Sequence, residues 1–520
     1  MQDNTTSKTV IIIGGGLGGL CTGCLLCKEG YRVTVLERHN KIGGGLHTFK
    51  RKDTIYETGM HYIGALQSGG VLQRFFSYLG IFDSLQIKPL GTDTFDVVYV
   101  KEDHRKFPIG LGKENFIAHW AEAFPEEREN IRKYTEAIYA VADRFPLCNL
   151  RVSDHSSLEM FFDESIVMPV ADFIAKYIKN PKLQKLLAWN NPLYGGDAYR
   201  TPIYVHAIIN HLFIEGASRF VGGSQQLADL MSQVILDHGG TIVCDDGVEQ
   251  LVVKNRKIEY AVTQKGKRYA ADTYISSLHP EMTIHLLDDP AQLPKAYRNR
   301  LETMSNTYSA FVVFLKMKKE TFPYYNHNLY FVEDYNEIWN VGQYKQQEWP
   351  VGIMLMTAPK SKQEEKWADT IIVSCLMRYD DVRQWENSTR GKRPQEYLDF
   401  KKNHEKKVLD KLKYYFPDIE NQLESVFSAS PLTIKDYTGS KDGSLYGYTK
   451  DYQRLECAHV SPSTKISNLF LTGQNINLHG ILGVPLNAII TVGVITGKYN
   501  EIIRKIDDSK ENVYVTIEKK

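Results

Sequence analysis

The chain carries almost no net charge: 63 Lys and Arg stand against 62 Asp and Glu in 520 residues, a formal balance of +1. It lacks the basic field that holds a phosphate backbone, and nucleic acid is excluded as its main partner. Cysteine is scarce. Seven residues, an odd number, build no disulfide framework and point to a reducing compartment. There is no G-x-S-x-G elbow to present an acyl-transfer nucleophile. No histidines have metal-ligand spacing, and no metal is expected. The acidic pairs Glu364-Glu365 and Asp380-Asp381 sit among charged neighbours and read as solvated surface. Internal repeats and low-complexity linkers are absent.

Long apolar runs are also few, and both are broken. Thr9 to Cys27 is uncharged but contains Gly14, Gly15, Gly16, Gly18, Gly19 and Gly23. Ile466 to Gly497 has no charged residue in 32 positions, yet Asn468, Gly473, Gln474, Asn475, Asn477, His479 and Pro485 interrupt it. Neither makes a good spanning helix or leader; each reads as buried strand, turn and buried helix. The expectation is a cytoplasmic protein, with attachment to a membrane surface left open. What remains is a globular composition, 42% hydrophobic, 24% charged and 11% aromatic. Its length exceeds one simple core and predicts at least two domains. The 31 Tyr and 22 Phe suit large apolar pockets as well as core.

The first forty residues carry the strongest pattern. Thr9 to Ile13 is a β-branched run, the mark of a buried parallel strand. Gly14, Gly16 and Gly19 then fit G-x-G-x-x-G, with Leu17 and Gly18 between them. Leu20 to Lys28 has helical length, Tyr31 to Leu36 is a second strand, and Glu37 ends it, 18 residues after Gly19. Gly14 permits the tight turn, Gly16 lets backbone approach a pyrophosphate, and Gly19 lets the helix lie close to the sheet. The helix N-terminus offers free N–H groups to phosphates, and a carboxylate at Glu37 takes both hydroxyls of a ribose. That carboxylate also disfavours a 2′-phosphate, and so NADP, at this site. Cys21, Cys24 and Cys27 imitate part of an iron–sulfur run, but on this helix they read as small core residues.

Arg38 and a second glycine cluster, Gly43, Gly44 and Gly45, follow the acid, where a loop can run beside the phosphates of an extended FAD. Here the sequence resembles the FAD-dependent amine oxidase and phytoene desaturase superfamily. Gly43 to Phe49, followed by Tyr56 to Gly64, resembles its retinol saturase and carotenoid isomerase branch, with segments G-G-x-x-H-T-F and D-T-G-x-H-Y-I-G. Gly45 stands where many superfamily members have Arg. At the other end, Ser467 to Leu471, Thr472-Gly473-Gln474 and a helix opening near Gly480 resemble the superfamily's closing flavin segment. Gln474 replaces a common Asp, and Pro485 near the helix's first turn replaces an expected Gly-Ala. Gly222-Gly223, the segment around Val248, and Ala271 to Pro280 resemble the remaining FAD segments.

The resemblance implies an α/β fold: a discontinuous Rossmann-like FAD-binding domain of 1–95, 216–285 and 460–505, with an inserted α+β substrate-binding domain of 96–215 and 286–459. Tyr308 to Met317 and Thr370 to Met377 are expected strands of the inserted sheet; the charge-rich end from Tyr499 is expected as a peripheral helix or tail, with 506–520 a charged tail. It assigns cofactor contacts to Gly14, Gly16, Leu17, Gly18, Gly19, Glu37, Arg38, Gly43, Gly44, Gly45, His61, Tyr62, Ile63, Val248, Gly473, Gln474, Leu482, Gly483 and Val484. His61 and His479 fall beside the flavin and are candidate catalytic proton carriers, with a plain hydrogen bond as the alternative; Tyr62 and Tyr446 are candidate pocket walls.

The activity implied is FAD-dependent reduction, with hydride from flavin N5, of a carbon–carbon double bond of a long hydrophobic small molecule, a retinoid, carotenoid or other lipid. Desaturation or cis–trans isomerisation on the same fold is the alternative, and a non-redox flavin- or lipid-binding role the alternative from another class; amine oxidation is a weaker option. With no second G-x-G-x-x-G, the reductant is unknown; NAD(P)H would bind only transiently. Met160 to Ile174, followed by Lys176, Lys179 and Lys182, is a candidate membrane-docking stretch or, equally, a core helix. Oligomeric state has no signal.

Overall fold

Five short parallel strands are drawn together from distant parts of the chain, in the order Thr241–Val243, Arg32–Leu36, Thr9–Ile13, Thr273–Ser276, Leu469–Leu471. The computed structural model describes residues 7–51, 53–152, 166, 168–340, 342–454 and 459–517, with 509–517 as backbone. The central strand has neighbours on both sides, and Val10 to Ile13 are almost wholly buried, which explains its unbroken apolar run. Burial of such a side chain contributes about 1.5–3 kcal/mol.

The helix Leu17–Lys28 lies against this sheet and packs on two further helices, Gln225–Asp237 and Gly480–Thr496. Its cysteines are packing residues. The Cys24 thiol meets the Met231 carbonyl, burial pushes the Cys27 thiol up to about 11, and no metal-holding cluster exists among the described residues. Cys21, Cys24 and Cys27 should resist a thiol reagent until the protein is unfolded, whereas half-buried Cys244 should react in the native state; labelling followed by peptide mass analysis checks this.

A larger sheet of seven strands runs Leu423–Ala429, Ser309–Met317, Thr370–Met377, Ile353–Thr357, Asn328–Val332, Thr94–Val100, Arg105–Gly110. All its pairings are antiparallel except Asn328–Val332 with Thr94–Val100. Strand alternation divides Ser309–Met317 between two environments. Phe311, Val313 and Leu315 pack toward the long helix Gln395–Lys413, while Ala310, Val312 and Phe314 face a cavity. A helical layer that includes Arg128–Asp143 and Ile203–Glu215 closes the opposite side.

The structure corrects several expectations. Pro485 is in the second turn of its helix, which begins at Gly480, so the freedom of early helix N–H groups does not cover it. It removes the bond to the Ile481 carbonyl, and Asn487 braces the region instead, its amide reaching the carbonyls of Gly473 at 2.9 Å and Leu478 at 2.6 Å. Of the two readings of the chain's end, the described part is the helix. The helix Tyr499–Ile517 buries Ile502, Ile503 and Ile506, and Lys498 and Lys505 pair with Glu29. Each acidic pair has one inward member: Glu365 bonds Lys88, and Asp381 bonds Tyr344 and Arg378. In the proposed docking stretch, 160–165 and 167 lie outside the described residues. Ile166, Phe173 and Ile174 are core. No described helix is long and apolar enough to cross a membrane.

Candidate functional site

One cavity of about 1050 Å³ runs from the glycine turn of the parallel sheet to the inner face of the large sheet. It is at the upper end of the ~300–1,000 Å³ usual for small-molecule sites. At the first end the backbone is bare. Gly14 has φ +96°, and a Cβ there would stand 2.6 Å from the Ser277 hydroxyl oxygen. A Cβ on Gly18 would stand 2.8 Å from the Cα of Gly473, so the two glycine segments touch only because both lack side chains. The helix Leu17–Lys28 begins with no side-chain cap, and so does Gly480–Thr496. Two helix N-termini with free N–H groups thus meet the same cavity, a setting for anionic and electron-rich ligand groups. The Glu37 carboxylate is held at the wall by the N–H groups of Gly15 at 2.7 Å and His39 at 2.9 Å. These features fit a dinucleotide: a cradle that Cβ atoms would fill, a fixed carboxylate and uncapped helix ends.

Most of the residues proposed from sequence line this cavity: Gly14, Gly16, Leu17, Gly18, Glu37, Arg38, Gly44, Gly45, His61, Tyr62, Val248, Gly473, Gln474, Leu482 and Val484. Four assigned positions stand behind the wall. Gly19 packs on the Gly14 carbonyl, Gly43 donates its N–H to the Gly15 carbonyl at 2.8 Å, Ile63 pairs with Ser218, and Gly483 abuts Leu478. Arg38 reaches across to the Asp436 carbonyl at 2.9 Å and ties the cradle to the large-sheet unit.

The far end is apolar. Val98, Leu193, Ile209, Leu212, Phe213, Val312, Phe314, Phe331, Ile353, Met354 and Leu376 line it. Glu37, at the opposite end, is the sole carboxylate among the described lining residues.

Both candidate histidines reach the cavity, and burial favours the neutral ring at each. Burial, reinforced by the Arg219 charge, pulls His61 down to about 4, and its Nε2 pairs with the Ser374 hydroxyl at 2.9 Å. Burial, with Lys450 nearby, pulls His479 down to about 3, and neither of its ring nitrogens has a protein partner. A neutral ring at either place can donate or accept a hydrogen bond, or take up a proton. The two unsatisfied nitrogens of His479, beside the Tyr446 ring, mark where a ligand atom would be met.

Sequence reasoning missed a polar cluster behind the apolar wall. Asp96 is wholly buried. Its Oδ2 accepts the Trp189 indole N–H at 3.0 Å and the Tyr62 hydroxyl at 3.2 Å, and its Oδ1 accepts the Asn328 amide at 2.8 Å. The Tyr62 and Tyr330 hydroxyls are 2.9 Å apart. Arg219, 2% exposed, donates to the Asn328 side-chain oxygen at 2.7 Å and to the carbonyls of Tyr325 and Thr357, each at 2.9 Å. Burial pushes the Asp96 carboxyl up to about 7, although its hydrogen bonds and Arg219 pull the other way. A lone acid in the apolar run Thr94–Val100 was the available signal.

Glu57 is a second buried acid, pushed up to about 8 by burial. Its carboxyl takes the Ser224 N–H at 2.6 Å and lies 2.6 Å from the Ser224 hydroxyl, which also reaches the Leu46 carbonyl at 3.0 Å. One hydroxyl proton cannot serve both oxygens, so a proton on Glu57 completes the set. The folded state then holds a proton that the unfolded chain releases near pH 4, so stability falls as pH rises from about 4 to about 8 and levels off above. Glu57→Gln carries no ionisable group, so it should remove this fall and be more stable than wild type at pH 7. Denaturant melts at pH 5 and 8 measure both effects.

The sequence pattern of the family described as Flavin containing amine oxidoreductase matches residues 17–481. The chain is 27% identical over 516 residues to the all-trans-retinol 13,14-reductase of Rattus norvegicus, covering 92% of this chain and 84% of that protein. It is 25% identical over 341 residues to the 4,4'-diapophytoene desaturase (4,4'-diapolycopene-forming) of Methylomonas sp, covering 63% of this chain and 65% of that one. Among solved structures, an oxidoreductase from Methanosarcina mazei matches with a TM-score of 0.63 at 16% identity, over 94% of this chain and 99% of that one.

Proposed function

The chain belongs to the flavin-containing amine oxidoreductase family and its cofactor is FAD; on that premise we propose that it reduces a carbon–carbon double bond of a long apolar polyene. FAD, when bound, supplies two-electron hydride chemistry. The N–H groups at the start of Leu17–Lys28 would hold its phosphates, Glu37 would accept its ribose hydroxyls, and the start of Gly480–Thr496 would face its ring. The remaining work of the chain is to bind the substrate flat, exclude water and supply a proton.

The observation that carries this reading is the apolar end of the cavity, continuous with the dinucleotide cradle and free of carboxylates among the described residues. Burial contributes about 0.8 kcal/mol per CH₂-sized unit, so a long polyene binds there without polar anchors. A protonated amine would lose its hydration and find no anion, at a cost of several kcal/mol. Relatives named as a retinol reductase and a carotenoid desaturase support a polyene substrate.

Substrate class is tested under argon. Oxidised holoenzyme should keep its flavin spectrum with a primary amine, and photoreduced holoenzyme should regain the oxidised spectrum with all-trans-retinol. Bleaching by the amine, with no response to retinol, would reassign the chain to amine oxidation.

A further inference from the structure

Reduction of a double bond needs a proton as well as a hydride, and burial favours the neutral form of both cavity histidines. The cluster of Asp96, Tyr62 and Tyr330 is a second proton source at the same cavity. Tyr62 and Tyr330 both line the cavity, and Asp96 stands directly behind them.

The hydrogen-bond chain can run in two directions. With Asp96 ionised, Tyr62 donates to its Oδ2 and Tyr330 donates to the Tyr62 oxygen. With Asp96 protonated, the order reverses: Asp96 donates to Tyr62, Tyr62 donates to Tyr330, and the Tyr330 O–H is released toward the cavity. Trp189 and Asn328 keep their bonds to the carboxyl in both states, so the Tyr330 O–H is the one donor of the cluster that the switch frees.

We infer that Asp96, Tyr62 and Tyr330 form a one-proton relay that protonates the substrate from the Tyr330 hydroxyl; the inference rests on the reductive reading of this cavity. Bound FAD, when reduced, would supply the hydride that makes a C–H bond at one carbon. The displaced π pair forms the second C–H bond at the neighbouring carbon with the Tyr330 proton, as the O–H bond breaks. Tyr330 recovers its proton from Tyr62, and Tyr62 from Asp96, which ends ionised. Water entering the emptied cavity reloads Asp96 through the same chain run backward. Tyr330 is the catalytic residue; Tyr62 and Asp96 act through it. The titratable and charged groups that face Asp96 are Tyr62, Tyr330 and Arg219, and Tyr446 faces Tyr330. The carboxyl changes state near pH 7, where the relay must be loaded and unloaded.

The test combines a binding-independent readout with kinetics. In wild-type holoenzyme an infrared carbonyl band of a protonated carboxylic acid should titrate near pH 7, vanish in Asp96→Asn and shift in Tyr62→Phe; Glu57→Gln identifies the separate band of the other buried acid. Anaerobic flavin reoxidation by all-trans-retinol should slow as pH rises through about 7. It should fall at least about 100-fold in Tyr330→Phe, within the range that proton transfer contributes, with FAD binding unchanged. Asp96→Asn should lower the rate and flatten the pH profile. An Asp96 band that does not titrate between pH 5 and 9, or a Tyr330→Phe rate within threefold of wild type, would overturn the relay. If wild type itself ignores retinol, the substrate reading fails, and the infrared result alone decides the relay.

Discussion

Gly16→Ala is expected to give a folded protein whose affinity for FAD has dropped roughly tenfold to hundredfold. Gly16 caps the first helix with φ −76° and ψ −179°, a conformation open to any residue. A Cβ built there meets nothing nearer than the Gly44 Cα at 4.0 Å, so the protein itself accommodates the methyl group. The ligand does not, because the same space is where backbone must approach the pyrophosphate. Overpacking by one methyl group costs about 1–3 kcal/mol, and each 1.4 kcal/mol is a tenfold change in affinity. Gly18→Ala is the contrast: its Cβ would press on the Gly473 backbone and disturb the protein before any ligand arrives. Apoprotein titrated with FAD, alongside circular dichroism of each variant, separates the two effects.

Arg219→Met is expected to destabilise the protein by about 3 kcal/mol and to raise the titration point of Asp96. The substitution keeps most of the volume but takes the Arg219 donor from the Thr357 carbonyl and the Asn328 side-chain oxygen, while the Tyr325 carbonyl keeps the Thr357 hydroxyl. Each buried acceptor so exposed costs about 1–3 kcal/mol, and relief of the arginine's own desolvation offsets part of the sum. Arg219 also holds down both Asp96 and His61 electrostatically, so its loss lets both titrate at higher pH. Denaturant unfolding reads the first effect, and infrared titration of the Asp96 carboxyl reads the second. A variant as stable as wild type, with Asp96 unmoved, would show that Arg219 is not the hub of this cluster.

The dinucleotide end of the site was legible because its information is local. Strand, glycine turn, helix, strand and acid follow one another between Thr9 and Glu37, and each has a period or a residue type that announces it. The start of the last helix was less legible. Gly480 opens it five residues before Pro485, and Asn487 braces the backbone there from within the helix. The charge-rich end of the chain read as helix or tail because its apolar residues are few. Ile502, Ile503 and Ile506 nevertheless share one buried face, spaced as a helix spaces them.

The polar cluster was not legible, because topology alone assembles it. Tyr62, Asp96, Trp189, Arg219 and Tyr330 come from five separate segments. Asp96 and Asn328 become partners only because Asn328–Val332 pairs in parallel with Thr94–Val100, which sets Asn328 opposite Asp96. Nothing in either strand announces that register. The two histidines were found by position, but their protonation depended on burial that the sequence does not display.

The central claim is a reduction at a carbon–carbon double bond, and a single turnover tests it most directly. Photoreduced holoenzyme is mixed under argon with one equivalent of all-trans-retinol, and the extracted lipid is weighed by mass spectrometry as the flavin spectrum is followed. The account predicts reoxidised flavin and a product heavier by two hydrogens. A lipid of unchanged mass and altered geometry would mean isomerisation. Two hydrogens lost to the oxidised enzyme would mean desaturation, and either result would contradict the account.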